Sequence, residues 1–134
     1  MKFGLKVLAL IIFIPTLFIG GLVGYWWLTY IDENIVSGNA YGFTIGSTKE
    51  EVIGDFQTLE VKYPESHIYI RYGDRAGDNF SVPAALKAKS QIYEYDKWDI
   101  LLDGQYEFFN SIDLKFESGR LVEIHRHRQN FELP

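Results

Sequence analysis

Two histidines placed two residues apart, His125 and His127 in LVEIHRHR, are the first side chains in this sequence whose type and spacing could do chemistry. Residues at i and i+2 of a strand share a face, so the pair could begin a metal site with Asp113 or Glu123 as third ligand. An alternation of His and Arg near a C-terminus is more commonly a solvated edge, and that reading, with no metal, is preferred. His67 follows Ser66 on an expected strand, where neighbours point to opposite faces, so the two are no nucleophile and base. Asp74, Asp78 and Asn79 in YGDRAGDNF lack the spacing of a calcium loop and read as solvated loop acids.

Gly42 to Lys49, GFTIGSTK, superficially resembles a phosphate loop. It fails the G-x-x-x-x-G-K-[ST] order, and the following Glu50 and Glu51 would repel phosphate. Thr48 with Glu51, or Ser47 with Glu50, instead makes a capping box in either register, with Lys49 solvated. There is no cysteine, which excludes disulfides, thiol nucleophiles, thiolate zinc sites and a diacylated lipoprotein cysteine. No triad, paired-carboxylate or dinucleotide-binding pattern appears. Neither an enzyme nor a cofactor is expected.

These groups must be positioned by a short chain. The 134 residues, 47% of them apolar, suffice for one modest domain and an N-terminal segment. No charge falls between Lys6 and Asp32, and the intervening 25 residues would form a helix of roughly 37 Å at ~1.5 Å per residue. That exceeds a hydrocarbon core of about 30 Å. Residues 1–31 therefore read as a signal anchor, crossing the membrane with residues 7–31. Lys2 and Lys6 precede the run while Asp32 and Glu33 follow it, which orients the N-terminus to the cytoplasm. Tyr25, Trp26, Trp27 and Tyr30 suit the far headgroup level. No A-x-A-like site is visible between Gly20 and Tyr30, so cleavage is not expected. Pro15 is tolerable in a membrane helix, and Gly20-x-x-x-Gly24 reads as chance small residues.

Residues 32–41 read as a polar tether and 42–134 as an α+β domain. Val52, Phe56 and Leu59 recur at helical spacing, so residues 48–60 form one amphipathic helix. From residue 66 the period changes to two in HIYIRY, QIYEYDKW, FNSIDLKF and LVEIHRHR, an antiparallel sheet of about four strands. The segment 73–90 stays unassigned. A three-residue loop Ser118-Gly119-Arg120 opposes Phe116 to Val122, Leu114 to Ile124 and Lys115 to Glu123. An Asp103-Gly104 hairpin opposes Tyr95 to Ile112 and Tyr93 to Leu114. The helix then covers an apolar face, and the opposite face carries Glu94, Asp96, Asp113, Glu117 and Glu123 against Lys115. His125 and His127, with Arg126 and Arg128, form a rim.

Gly46, Thr48, Glu50, Glu51 and Val52 resemble the G-x-T-x-E-E-V motif of small envelope proteins of the SmpA/OmlA (BamE) type, a motif with a counterpart in the beta-lactamase inhibitor protein repeat. LKFESGRLVEI is similar to the closing F-x-x-G-x-L-V-x-I hairpin of that family. The resemblance implies a helix packed on one face of an antiparallel sheet and a binding role exercised through the sheet.

Beyond residue 31 there are 18 acidic and 11 basic residues, a net charge of −7. That balance disfavours nucleic acid and favours a protein with a basic surface. The resulting expectation is a single-pass protein of the bacterial inner membrane whose periplasmic domain binds another protein through Glu94, Asp96, Asp113, Glu117 and Glu123. An inhibitor or immunity protein against a basic toxin or hydrolase is the sharper form, and an envelope-assembly accessory the alternative.

Overall fold

The computed structural model describes residues 2–72, 80–83, 92–102 and 110–129. The Asp103-Gly104 hairpin, the loop acids Asp74 and Asp78, and most of the segment 73–90 lie outside the described residues. Two compact units are formed, one holding the N-terminal helix and the other spanning Ile31–Arg128.

The first helix, α1, runs Lys2–Thr29 through Pro15. Its stretch Leu10–Thr29 is long and apolar enough to cross a membrane, and none of it is buried within the protein. Phe18 is 69% and Leu28 80% exposed, an apolar surface that water alone would not favour. The hydroxyls of Thr16 and Thr29 donate to the carbonyls of Ile12 and Tyr25, each at 2.8 Å, so these polar groups are satisfied locally.

The second unit is α+β. Strands β1 (Ile31–Ile35), β4 (His67–Tyr72), β5 (Phe80–Pro83), β6 (Lys97–Leu101), β7 (Asn110–Glu117) and β8 (Arg120–Arg128) form one antiparallel sheet in the order β1-β8-β7-β6-β4-β5. Two short strands, β2 (Asn39–Ala40) and β3 (Phe43–Thr44), pair separately. Helix α2 (Lys49–Lys62) places Val52, Ile53 and Phe56 on Trp98, Ile100, Ile112, Leu114, Phe116, Leu121 and Ile124. The helix on one sheet face is thus present, with six strands rather than about four.

Much of the expected tether is structure. Ile31–Ile35 pairs along β8 from Arg128 to Ile124, with Ile31 and Ile35 on the core side together with Glu33, which is registered opposite Arg126, and Asp32 and Asn34 on the other side. Gly46 to Thr48 continue this edge. Gly46 N–H donates to the Leu121 carbonyl at 2.7 Å, and Leu121 N–H donates to the Ser47 carbonyl at 2.9 Å.

At the start of α2 the capping box is complete: the Thr48 N–H donates to Glu51 Oε2 at 2.8 Å, and the Glu51 N–H donates to Thr48 Oγ1 at 3.3 Å. The bond from the Thr48 N–H holds the Glu51 carboxyl below its usual pKa. Thr48→Ala is expected to lower stability by about 1 kcal/mol. Urea unfolding followed by circular dichroism checks it.

Lys49, expected in solvent, is 9% exposed. Its ammonium donates to the Tyr93 carbonyl at 2.8 Å and Asp96 Oδ1 at 2.7 Å, over the Phe116 ring. These partners exist because Ile92 to Asp96 do not extend the strand. Ile92 and Tyr93 are helical, Tyr95 N–H closes a turn on the Ile92 carbonyl, and β6 begins only at Lys97. Trp98 and Ile100, not Tyr93 and Tyr95, oppose Leu114 and Ile112.

The last hairpin also departs from the expected loop. Glu117 pairs with Arg120 across a two-residue turn, Ser118 and Gly119 both having positive φ, 50° and 76°. Positive φ at both positions gives the twist that two-residue hairpins favour. A register shift between Lys115 and Phe116 then lets Phe116 meet Leu121 rather than Val122, while Leu114 still meets Ile124 and Lys115 meets Glu123. The bulge supplies the residue that a longer loop would have supplied.

Candidate functional site

The sheet face away from α2 holds most of the expected binding residues, and the register arranges them in rows across the strands. Lys97, Lys115 and Glu123 form one row; Asp99, Asp113, His125 and Asn34 a second; Leu101, Ser111, His127 and Asp32 a third. Like charges meet directly in Lys97 opposite Lys115 and Asp99 opposite Asp113, Lys115 also faces Glu123, and the row with the two lysines adjoins the row with the two aspartates. Directly opposed like charges are unfavourable in isolation, so the lattice depends on its diagonal neighbours.

Asn34, Lys97, Asp99, Asp113, Lys115, Glu123 and His125 surround a depression of about 230 Å³. Asp99 is 1% exposed at its inner side, beside buried Ser111 and Leu101. Asp113, Lys115, Glu123 and His125 are half-buried, and Asp32 and Asn34 of β1 are exposed. The surface is therefore polar and concave.

His125 ties three strands together. Its Nε2 lies 2.6 Å from Asp32 Oδ1 on β1, and its Nδ1 lies 3.3 Å from Asp113 Oδ2 on β7. Burial alone would lower the His125 pKa, but the hydrogen bonds to Asp32 and Asp113, and then their charges, raise it above the ordinary value. A raised folded pKa adds stability that is complete below the unfolded value of about 6.5 and is lost as pH rises through the folded pKa. The contribution also needs ionised aspartates, and so holds from roughly pH 5 to 6.5. His125→Gln should therefore narrow the stability gap between pH 6 and pH 8.5. Parallel unfolding midpoints for the two proteins at both pH values would refute that linkage.

Of the five expected acids, Asp113, Glu117 and Glu123 are in the strands as anticipated. Glu117 is at the end of β7, paired with Lys115 at 3.1 Å. Glu94 and Asp96 are corrected. Glu94 lies exposed in the turn before β6, and Asp96 is taken by Lys49, because the Ile92 to Asp96 segment coils before the strand starts. His125 and His127 share the polar face, their rings 6.3 Å apart. Arg126, expected at a rim, is only 5% exposed and points to the α2 side, where its guanidinium donates to the Ser111 carbonyl at 2.9 Å and to Asn110 Oδ1. Arg128 shares that side, half-buried. His67 opens β4 with its Nδ1 2.7 Å from the Glu65 carbonyl, and Ser66 is buried. Among the described residues no group of three or more His, Asp or Glu is placed to hold a metal ion.

Asp32, Asn34, Lys97 and Asp99 are the residues that sequence reasoning missed. The signal was partial: Ile31 and Ile35 share one face of IDENI, and Trp98 and Ile100 one face of KWDIL, but the first segment was too short to outweigh its polarity and the second was absorbed into a longer strand. Comparison of the chain with protein-family models, with curated proteins and with solved structures finds no match.

Proposed function

We propose that this protein is a membrane-anchored binding module that receives a basic segment of another protein on the polar sheet face. The observation that supports it is the depression lined by Asp99, Asp113 and Glu123, with His125 at its margin and Lys97 and Lys115 beside it. A lysine or arginine entering there would meet the half-buried carboxylates of Asp113 and Glu123 above buried Asp99, while the two lysines would repel a cation placed off register. Charge placed this way favours selectivity and encounter rate more than raw affinity. The bare lattice is polar enough to stay solvated, and the flanking half-buried side chains offer hydrogen bonds at the rim.

The placement proposed is a single pass with the N-terminus in the cytoplasm and the domain outside the inner membrane. Lys2 and Lys6 before the apolar run, and Asp32 and Glu33 after it, support that orientation. Neutralisation of a basic toxin or hydrolase is the sharper form of the proposal, in keeping with the acidic balance beyond residue 31. The resemblance of Gly46, Thr48, Glu50, Glu51 and Val52 to the SmpA/OmlA (BamE) motif supports an envelope binding role, and leaves an assembly accessory as the second reading.

The experiment is site-specific photocrosslinking from Glu123 in intact cells, with Val61, 83% exposed on α2, as the control position. One discrete partner is expected from Glu123 and not from Val61. Reversing Asp113 and Glu123 to lysine should reduce capture at least tenfold, whereas Glu94→Lys, off the face, should leave it unchanged. Equal capture from both positions, or capture that survives the double reversal, would remove the polar face as the binding surface.

A further inference from the structure

We propose that β1 is a pH-dependent strap whose latch is His125: protonated, the ring staples β1 to the sheet through Asp32 and Asp113, and after losing its proton it lets β1 leave the edge of β8. Asn34 of β1 lines the polar depression, so departure of β1 would also remove part of the wall of the proposed binding site. Only this last consequence rests on the binding reading.

Both ring nitrogens of His125 face carboxylates, Nε2 at 2.6 Å from Asp32 Oδ1 and Nδ1 at 3.3 Å from Asp113 Oδ2. An imidazolium carries a proton on each nitrogen and donates to both, whereas a neutral ring donates to one and turns a lone pair toward the other. One of the two contacts must then give way. Asp113 is on β7, inside the sheet, while Asp32 is on the edge strand, so β1 is the side that can move. The core side of β1 holds it by a different and steadier means. Ile31 and Ile35 are only half-buried there, and Glu33, registered opposite Arg126, accepts from the Tyr41 hydroxyl. That hydrogen bond raises the Tyr41 pKa, and a guanidinium stays charged, so neither changes its proton near neutrality.

Other charged groups surround the latch. His127 of β8 is registered opposite Asp32, with its ring 6.3 Å from that of His125; Glu123 of β8 and Lys115 of β7 lie in the adjoining row, and Lys97 and Asp99 of β6 line the same depression. Of these side-chain types only histidine changes its charge between pH 5 and 8, so His127 is the residue to control for. Only Tyr30 separates the end of α1 from the start of β1. Release of the five residues of β1 would add up to roughly 17 Å, at about 3.3–3.6 Å per residue, to the free chain between α1 and the remaining strands.

The test is hydrogen exchange of the full chain in phosphatidylcholine nanodiscs, read by mass spectrometry on peptides covering β1 and β7 at pH 6 and pH 8.5. Comparing each variant with the wild type at the same pH cancels the intrinsic effect of pH on exchange. The side chains of His125 and Asp32 are 32% and 46% exposed, so solvent screens the pair and a several-fold effect is expected. His125→Gln, which keeps a hydrogen-bonding side chain without the charge, should speed exchange of β1 at least threefold at pH 6 and leave it near the wild-type rate at pH 8.5. Asp32→Asn should reproduce the effect at pH 6, the double variant should add nothing to either single one, and His127→Gln should leave β1 at the wild-type rate. In the wild type, β1 should exchange ahead of β7 at both pH values, as a local opening requires. A variant effect that is absent, or equal at the two pH values, would overturn the latch, as would its full reproduction by His127→Gln. Exchange of β1 and β7 together would show global unfolding and overturn the strap. Photocrosslinking from Glu123 scores the binding site separately, so a strap that opens without capture, or capture without opening, assigns the failure to one proposal alone.

Discussion

Trp98→Ala is expected to destabilise the domain by about 3–5 kcal/mol, the range for removing a fully buried large aromatic side chain. Trp98 is 0% exposed, between the β4 and β7 neighbours Ile70 and Leu114, with its ring centroid 4.5 Å from that of Phe116. Its indole N–H donates to the carbonyls of Tyr95 at 3.0 Å and Ile92 at 3.2 Å. The side chain therefore fills the core and also fixes the turn that precedes β6. That turn positions Tyr93 and Asp96 around the Lys49 ammonium, so loss of Trp98 should loosen the start of α2 as well. Domains of this size have roughly 5–15 kcal/mol of stability in total, and the alanine variant should be substantially unfolded at 37 °C. Trp98→Phe keeps most of the volume but donates no hydrogen bond, and should fall between the two. Urea unfolding checks the order, and an alanine cost near 1 kcal/mol would show that the core closes over the gap.

Replacing both Leu17 and Phe18 with arginine should release the protein from membranes. Each side chain lies near the middle of the apolar run and is exposed, 59% and 69%. A centrally placed arginine costs about 2.5–3.5 kcal/mol in insertion, so the pair costs about 6 kcal/mol, which outweighs the advantage of the remaining apolar residues at the centre. The wild-type chain should stay in the pellet after alkaline extraction of membranes and the double variant should appear in the supernatant. Retention of the variant would show that α1 does not hold the chain by spanning. Substitution of Val61, exposed on α2, by arginine is the control with no expected effect.

The helix start was readable because its chemistry is local. Thr48 and Glu51 satisfy each other's backbone within one turn, and that pairing needs no other part of the chain. The run of α1 is equally local, since its length, its apolar composition and its lack of charge are all read within one segment. The sheet face was half legible. Asp113 and Lys115 share a face of β7, and Glu123 and His125 a face of β8, by the period of two alone, but the bulge between Lys115 and Phe116 is what brings the two pairs onto one face across the two-residue turn. Asp32 joins the same face from 93 residues away, and its contact with His125 depends on β1 choosing the edge of β8.

Lys49 shows the same limit in reverse. By type and position a lysine in the first turn of a helix belongs in solvent, yet it is buried because Tyr93 and Asp96 arrive from 44 and 47 residues downstream. Arg126 likewise continues an apolar row and is accepted there because Ser111 and Asn110 supply oxygens. What the sequence by itself determined is the apolar helix, the capped amphipathic helix, the alternating strands and the acidic balance, all set by neighbours within a few residues. Only the tertiary structure decided which strands adjoin, where the bulge falls and which charges share the depression. Those depend on pairings across long chain separations, where a shift of one residue would exchange the core and polar faces.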